Sequence, residues 1–152
     1  VSQRTFCVES EFNSRADGFK PMLQKYGMDL GAADGVPEKN VTILDTGAVY
    51  NATAEGKCNF GEVFTTDGRI DTLDLTLLSD DRKFFPEYNI TPYVNSEKLK
   101  EYPQMAGIYN KVSAQMTNAE MMRLNRLVDV EGQEPADVAY DWMASKGFIR
   151  KG

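Results

Sequence analysis

The sequence predicts an α/β fold, with a parallel sheet and flanking helices in residues 1–86, followed by a mostly helical segment in residues 87–152. Two observations predict it. Up to residue 86, short apolar segments alternate with segments whose apolar residues recur at helical spacing, as in parallel α/β sheets. Beyond residue 93, only the helical spacing remains. A chain of 152 residues, 41% of them hydrophobic, can bury a core.

A first strand and helix open the chain. Residues 4–8 form a short apolar run that predicts a buried strand, and residues 9–18 predict a polar loop. The helix that follows, over residues 19–26, carries apolar side chains at helical spacing, and Gly27 ends it. Residues 28–39 contain glycines and a proline, so we expect an exposed loop there.

The same alternation continues to residue 78. Residues 40–44 predict a second strand, and Asp45 is a good N-cap for a helix that Gly56 ends. Residues 58–64 predict a third strand. A polar turn and a short helical turn separate it from a fourth strand, residues 75–78. Because right-handed crossovers place the carboxyl ends of parallel strands at one edge, we expect a ligand to bind at that edge.

The remaining residues predict helices. Residues 96–102 form a helical turn, and residues 105–116 carry five apolar side chains on one helix face. Residues 117–120 match a capping box at the start of the next helix. Pro135 suits the first turn of a last helix, which is predicted to bury Trp142.

Composition and charge exclude several classes of function. The net charge of −6 leaves no basic surface for the phosphates of a nucleic acid. No segment approaches the roughly 20 apolar residues of a membrane span. The chain has no histidine, which removes the commonest general base and zinc ligand and argues against a zinc site. We expect no metal and no cofactor. The chain begins at Val1 rather than Met, so we expect an upstream segment to have been removed.

The two cysteines, Cys7 and Cys58, lie in two different predicted strands. They form neither a CxxC pair nor a site with histidine, so the alternatives are two buried thiols or one disulfide. The two side chains can meet if the strands are neighbours in the sheet. Spacing alone does not fix the distance between the two Cα atoms, so both alternatives stay open.

Aromatic side chains cluster between residues 64 and 93. They are Phe64, Phe84, Phe85, Tyr88 and Tyr93. Aromatic faces stabilise a quaternary ammonium by about 0.5–2 kcal/mol per ring. Arg15 lies at the predicted ligand edge, and its guanidinium suits a carboxylate. Arg15 together with Phe64 and Tyr88 suits a zwitterion that carries a carboxylate and a trimethylammonium.

A competing interpretation starts from Asp45-Thr46-Gly47, which repeats the catalytic tripeptide of aspartic proteases. That chemistry needs two such aspartates sharing a proton on a β-rich frame. Only one tripeptide is present, and a helical segment follows it. We therefore favour a helix N-cap and expect no catalytic residue, and we keep an aspartic protease acting as a dimer as the alternative.

Four segments, which occur in order, closely resemble the substrate-binding proteins of glycine betaine, choline and carnitine ABC transporters. They are CVESEFNSRADGF, LDTGAVYNATAEGKCNFGEVFTTDGRI, LLSDDRKFFPEYNITPYV and MMRLNRLVDVEGQEPADVAYDWMASKGF. The resemblance covers essentially the whole chain. It implies a periplasmic-binding-protein-like fold of type II, in which two α/β lobes close over a ligand. Residues 1–86 match the second lobe, and residues 87–152 match the hinge crossing and the C-terminal helices of lobe one.

The resemblance also implies site residues. Arg15 matches a carboxylate-binding arginine, Phe64 takes a position often held by a cage tyrosine, and Tyr88 matches another cage tyrosine. Phenylalanine at position 64 keeps the aromatic face and lacks the hydroxyl. Polar contacts are expected from three neighbours of these residues: Glu11, Thr65 and Asp67. Packing roles are expected for the other aromatics of the cluster: Phe84, Phe85 and Tyr93.

The function implied by the resemblance is the extracytoplasmic solute-binding component of an ABC importer for an osmoprotectant. Glycine betaine or choline is the expected ligand, and a permease, an ATPase and a missing lobe-one segment are the expected partners. We expect weak or absent binding by the isolated chain, and an exposed edge at a strand over residues 89–94 that leads to a dimer, a swap or disorder. A sensor domain of the same fold is the other alternative.

Overall fold

The computed structural model describes residues 3–86 and 90–150. The chain divides into two compact units. One comprises Val1–Thr65 and Arg69–Pro86, and the other comprises Thr66–Gly68 and Glu87–Gly152. The assignment of residues 1–86 and 87–152 to two different lobes stays a prediction.

Within residues 3–86, the first unit contains three short strands and four helices. In chain order they are β1 (Phe6–Glu9), α1 (Ser10–Ser14), α2 (Phe19–Lys25), β2 (Val41–Leu44), α3 (Thr46–Ala54), β3 (Phe60–Gly61) and α4 (Arg69–Thr72), with a 3-10 turn at Glu38–Asn40 before β2. The strands form a parallel sheet in the order β2-β1-β3. The predicted α/β class with a parallel sheet is therefore confirmed, and the carboxyl ends of the three strands share one edge.

Side chains of β1 alternate between the two faces of the sheet. Phe6 and Val8 lie on one face and pack in a core with four other buried side chains: Phe12, Phe19, Leu23 and Val36. Cys7 lies in the other core, against the inner face of α3. Burying a large apolar side chain contributes about 1.5–3 kcal/mol, so this two-sided burial accounts for a stable central strand only four residues long.

The sulfur atoms of Cys7 and Cys58 are joined in a disulfide, with the two Cα atoms 5.7 Å apart. The pairing of Cys7 with Gly61 places the segment before β3 beside β1, which brings Cys58 within reach. Of the two alternatives that the sequence left open, the structure contains the disulfide.

Four predictions within the first unit are wrong. The loop over residues 28–39 is not wholly exposed, because Val36 is fully buried and packs in the core with Phe6 and Val8. Residues 10–14 form α1 instead of a loop, because the Glu9 carboxylate caps this helix and Phe12 is buried beneath it. The third strand spans two residues instead of residues 58–64, since the chain leaves the sheet after Gly61. Residues 75–78 form no strand, and Leu78 is exposed.

The second unit is helical. Its helices are α5 (Ser96–Glu101), α6 (Gln104–Ser113), α7 (Asn118–Asp129) and α8 (Pro135–Ser145). Leu124 of α7 packs against Val138 and Trp142 of α8 to form a core, as the predicted inward position of Trp142 requires. The strand predicted over residues 89–94 is absent from residues 90–94, and Asn89 lies outside the described residues. No helix in the described part of the chain is long and apolar enough to cross a membrane.

The predicted capping box of α7 is half formed. The Thr117 hydroxyl accepts the Glu120 N–H at 3.1 Å, as predicted. The Glu120 carboxylate points away from the cap and accepts a hydrogen bond from the indole N–H of Trp142 at 2.6 Å. Arg123 donates to the same carboxylate at 3.0 and 3.2 Å. Glu120 therefore ties α7 to α8, a tertiary contact that local sequence spacing does not reveal.

Candidate functional site

The candidate site of the first unit lies where β1 and β3 end. β1 ends at Glu9, and α1 follows it directly with Glu11 on its first turn and Arg15 at its C-terminus. β3 ends at Gly61, and Phe64 follows three residues later. Four of the six predicted ligand residues therefore belong to segments that leave neighbouring strands at their carboxyl ends. These residues are Glu11, Arg15, Phe64 and Thr65.

Arg15 is held by neighbouring carboxylates. Its Nε and Nη2 atoms donate to the two carboxylate oxygens of Asp17 at 2.9 and 2.8 Å. Its Nη1 atom lies 3.8 Å from the Glu11 carboxylate. Hydrogen bonding from Arg15 holds the pKa of Asp17 below its usual range. A ligand carboxylate must therefore share or displace Asp17 to use the guanidinium in the way the sequence predicted.

Phe64 presents an exposed ring on a well-supported backbone. Its side chain is 63% exposed, and its N–H donates to the hydroxyl of Tyr50 at 3.0 Å. Tyr50 of α3 is fully buried, and the guanidinium of Arg69 stacks 4.1 Å from the centre of its ring. An exposed aromatic face on a fixed backbone is suited to contact an organic cation.

Tyr50 supports the site and was missed by sequence reasoning. It shares the buried side of α3 with Val49 and Ala52. The sequence did contain a signal for this role. A tyrosine on the apolar side of a predicted helix is expected to be buried, and a buried hydroxyl needs a hydrogen-bond partner. The sequence does not show that this partner is the backbone of Phe64.

Asp67 belongs to the second unit, unlike the four residues above. It lies in the turn Thr66–Gly68, whose Thr66 carbonyl accepts a hydrogen bond from the Asn125 side chain at 2.8 Å. Gly68 is buried against the backbone of Arg126 in α7. Helix α7 thus fixes the turn that carries Asp67. Tyr88, the second predicted cage residue, lies outside the described residues.

The other aromatic residues of the cluster differ from one another. Phe84 and Phe85 pack edge to face with ring centres 5.0 Å apart, and Phe85 stacks on Phe12 at 6.0 Å. Asp80 supports this segment, since it accepts the N–H groups of Phe84 and Phe85 at 3.0 and 2.8 Å. Tyr93 is 98% exposed, so its predicted packing role is wrong for this chain. Packing needs atoms that cover the ring, and the described residues of the second unit leave it almost fully exposed.

Glu62 is a second residue that sequence reasoning missed. It is half-buried beside the end of β1, and its Oε2 atom accepts the N–H of Glu9 at 2.9 Å. Burial raises the pKa of Glu62, and the nearby carboxylates of Glu9 and Glu11 raise it further, whereas the Glu9 N–H and Arg15 lower it. A half-buried acid between two candidate segments is a signal that only the tertiary structure supplies.

A cavity of about 240 Å³ lies elsewhere in the first unit, beside the disulfide. Its walls include Cys7, Leu44, Ala48 and Cys58, and none of the predicted ligand residues contributes to them. We place the candidate site at the strand ends instead, because the charged and aromatic groups suited to a quaternary amine lie there. Among residues 3–86 and 90–150, no three acidic, Cys or His side chains are arranged to hold a metal ion.

A parallel α/β unit with charged and aromatic side chains beyond its strand ends defines a class of ligand-binding domain. The chain belongs to the family described as the substrate binding domain of the ABC-type glycine betaine transport system, which it matches over residues 1–145.

Relatives and solved structures agree with this family. The chain is 33% identical to the glycine-betaine-binding protein of Pseudomonas aeruginosa over 99% of its own length. It is 30% identical to the carnitine transport binding protein OpuCC of Listeria monocytogenes over 97% of its length. A crystal structure of a glycine betaine/carnitine/choline ABC transporter superposes on 95% of the chain with a TM-score of 0.77 and 31% identity, and half of that solved chain is covered. The present chain spans 47% and 46% of the two relatives, about half of their length.

Proposed function

We propose that the chain is part of the solute-binding component of an ABC importer that takes up a quaternary ammonium osmoprotectant, such as glycine betaine or choline. The observation that carries this proposal is the family match over residues 1–145. The proposed ligand contacts are Arg15, Phe64 and Tyr88, with further polar contacts from Glu11, Thr65 and Asp67. We infer a binding role without catalysis, since the family is a substrate-binding class.

The proposed ligand mode follows from the chemistry of the strand ends. The exposed face of Phe64 offers cation–π attraction to a trimethylammonium group. The guanidinium of Arg15 is the group suited to a ligand carboxylate, in competition with Asp17. Because glycine betaine has a carboxylate and choline does not, the strength of the Arg15–Asp17 pair bears directly on which of the two ligands binds more tightly.

The proposed location is outside the cytoplasm. A disulfide between two buried cysteines, Cys7 and Cys58, supports this location because such bonds persist in oxidising compartments. A permease and an ATPase are the proposed protein partners. The proposed lobe-one segment would supply the remaining walls of the site. Dimerisation or a swap of the 152-residue chain remains a prediction.

Calorimetry with glycine betaine and choline tests the proposal. The isolated chain is expected to bind weakly or not at all, and the chain joined to the lobe-one half of its Pseudomonas aeruginosa relative is expected to bind. In the joined protein, Phe64→Leu should weaken binding by about 2- to 30-fold, the equivalent of one cation–π contact. Phe64→Tyr keeps the aromatic face and is the matched control.

Two outcomes would contradict the proposal in different ways. Micromolar binding by the isolated chain would show that the site needs no further segment. A joined protein that folds and binds neither amine would remove the proposed function itself.

A further inference from the structure

Glu62 completes the pairing between β1 and β3 with its side chain. Its N–H donates to the carbonyl of Cys7 at 3.0 Å, as in a parallel ladder. The next N–H of β1 on that side belongs to Glu9, and its acceptor is Oε2 of Glu62 at 2.9 Å. Because a side chain provides this acceptor, β3 ends at Gly61 and the Glu9 N–H still has a partner.

Glu9 in turn starts the segment that carries two predicted ligand residues. Its carboxylate accepts the N–H groups of Glu11 and Phe12 at 2.7 and 3.3 Å, which caps α1. Helix α1 ends at Ser14, and the N–H of Arg15 donates to the Glu11 carbonyl at 3.0 Å. The position of Glu9 therefore determines where its carboxylate caps α1, and hence where Arg15 lies after the helix.

Glu62 also lies close in sequence to Phe64, the aromatic residue of the site. Phe64 lies two residues further along the chain, and its N–H is fixed by the buried hydroxyl of Tyr50 at 3.0 Å. Glu62 thus contacts the start of the segment that carries Arg15, and it lies in the segment that carries Phe64. These two segments have no shared backbone pairing beyond Glu62 in the described ladder.

We propose that Glu62 is a positioning residue of the candidate site, holding the start of α1 in register with the segment that carries Phe64 by accepting the Glu9 N–H. This inference rests on the proposed function for its consequence in ligand binding. Its structural part concerns the first unit alone. The charged groups that face Glu62 are Glu9 of β1 and the two residues Glu11 and Arg15 of the α1 segment.

The direct test is the amide of Glu9 in the 15N-labelled chain. Glu62→Ala removes the acceptor and should speed exchange of this amide about fivefold or more, and should shift the Nε–H resonance of Arg15. Glu62→Gln keeps an acceptor oxygen and should restore both signals. Glu55→Ala is the matched control, because the exposed Glu55 carboxylate pairs with Lys57 at the far end of α3 and its backbone contact does not depend on the side chain.

Unchanged exchange of the Glu9 amide in Glu62→Ala would overturn the proposal. If that variant fails to fold, the wild-type chain decides the question. Its Glu9 amide resonance should titrate with a midpoint above the ordinary glutamate pKa of 4.5, and Glu62→Gln should abolish that titration. A Glu9 amide that does not respond in this range would also overturn the proposal.

A ligand titration separates this inference from the proposed function. Choline and glycine betaine are titrated into the chain joined to the lobe-one half of its Pseudomonas aeruginosa relative, and the Phe64 amide and Arg15 Nε–H are followed. We expect binding about fivefold weaker in Glu62→Ala than in Glu62→Gln. If the joined protein with wild-type Glu62 binds neither amine, the proposed function fails, while the Glu9 amide of the isolated chain still decides whether Glu62 positions α1. Equal affinities of the two variants would overturn the positioning role in binding.

Discussion

Removing the disulfide should cost the first unit much of its stability. Cys7 and Cys58 are separated by 51 residues in sequence. Closing a loop of that length in the unfolded chain lowers its entropy, and the chain-entropy relation gives about 4 kcal/mol for it. Small domains have a free energy of unfolding of about 5–15 kcal/mol, so the loss is large on that scale. We expect Cys7→Ala/Cys58→Ala to fold only marginally.

The assay is urea unfolding of the 15N-labelled chain, followed through the amide resonances of the first unit. The only tryptophan of the chain, Trp142, belongs to the second unit and is not the probe here. A loss of about 4 kcal/mol moves the midpoint by about 2 M urea at a typical slope of about 2 kcal/mol per molar. Both cysteines are buried, so alanine also removes packing atoms. Unfolding the wild type with reductant present separates the bond from that packing loss.

Comparing the unfolding midpoints with and without reductant also supplies the control and the result that would refute the reasoning. The alanine variant has no disulfide, so its midpoint should be the same with and without reductant. A wild-type midpoint that reductant leaves unchanged would refute the reasoning, because the buried bond would then contribute nothing to stability.

Two further predictions concern the second unit. The hydrogen bonds of Arg123 and Trp142 lower the pKa of Glu120 from 4.5 to about 2. Because the folded-state pKa is the lower one, this stabilisation is complete above about pH 4.5 and is lost as pH falls through about 2. Trp142 fluorescence should therefore show an acid transition in that range, and Glu120→Gln should be about 2 kcal/mol less stable at pH 7 and lack this dependence. Equal midpoints of acid unfolding for the wild type and Glu120→Gln would contradict this account. Gly68→Ala should cost about 1–3 kcal/mol, because its Cβ would overlap the backbone of Arg126. The control Gly107→Ala lies in α6 with open space around it and should gain about 0.5–1 kcal/mol. A Gly68→Ala variant as stable as this control would refute the close approach.

The elements that the sequence predicted well are those with strong local signals. Helix α2 ends at Lys25, with Tyr26 as its C-cap directly before Gly27 and its positive φ of 74°, and α8 begins at Pro135. Glycine adopts positive φ without steric cost, and proline has the φ of a first helical turn. Such signals depend on neighbouring residues only, so they can be read from the chain. The prediction of a strand over residues 75–78 rested only on a run of apolar residues, and a strand also needs a neighbouring strand to pair with.

The residues of the candidate site could be predicted from the sequence, whereas the contacts that these residues make could not. The sequence indicates that Arg15 and Phe64 follow two strands of one sheet. It does not show that Asp17 occupies two nitrogen atoms of the Arg15 guanidinium. Nor does it show that Tyr50 fixes the backbone of Phe64. Each of these contacts depends on side-chain direction within a folded neighbourhood, which periodicity does not contain.

By itself, the sequence determined the α/β class, the helical second region and the family, because periodicity, caps and motifs are properties of short segments. Only the tertiary structure decided that Cys7 meets Cys58 and that Glu62 supplies the acceptor for Glu9, 53 residues away. The physical reason is strand register. Pairing Cys7 with Gly61 sets which groups face each other across the sheet, and a shift of one residue would turn every side chain of β3 to the opposite face.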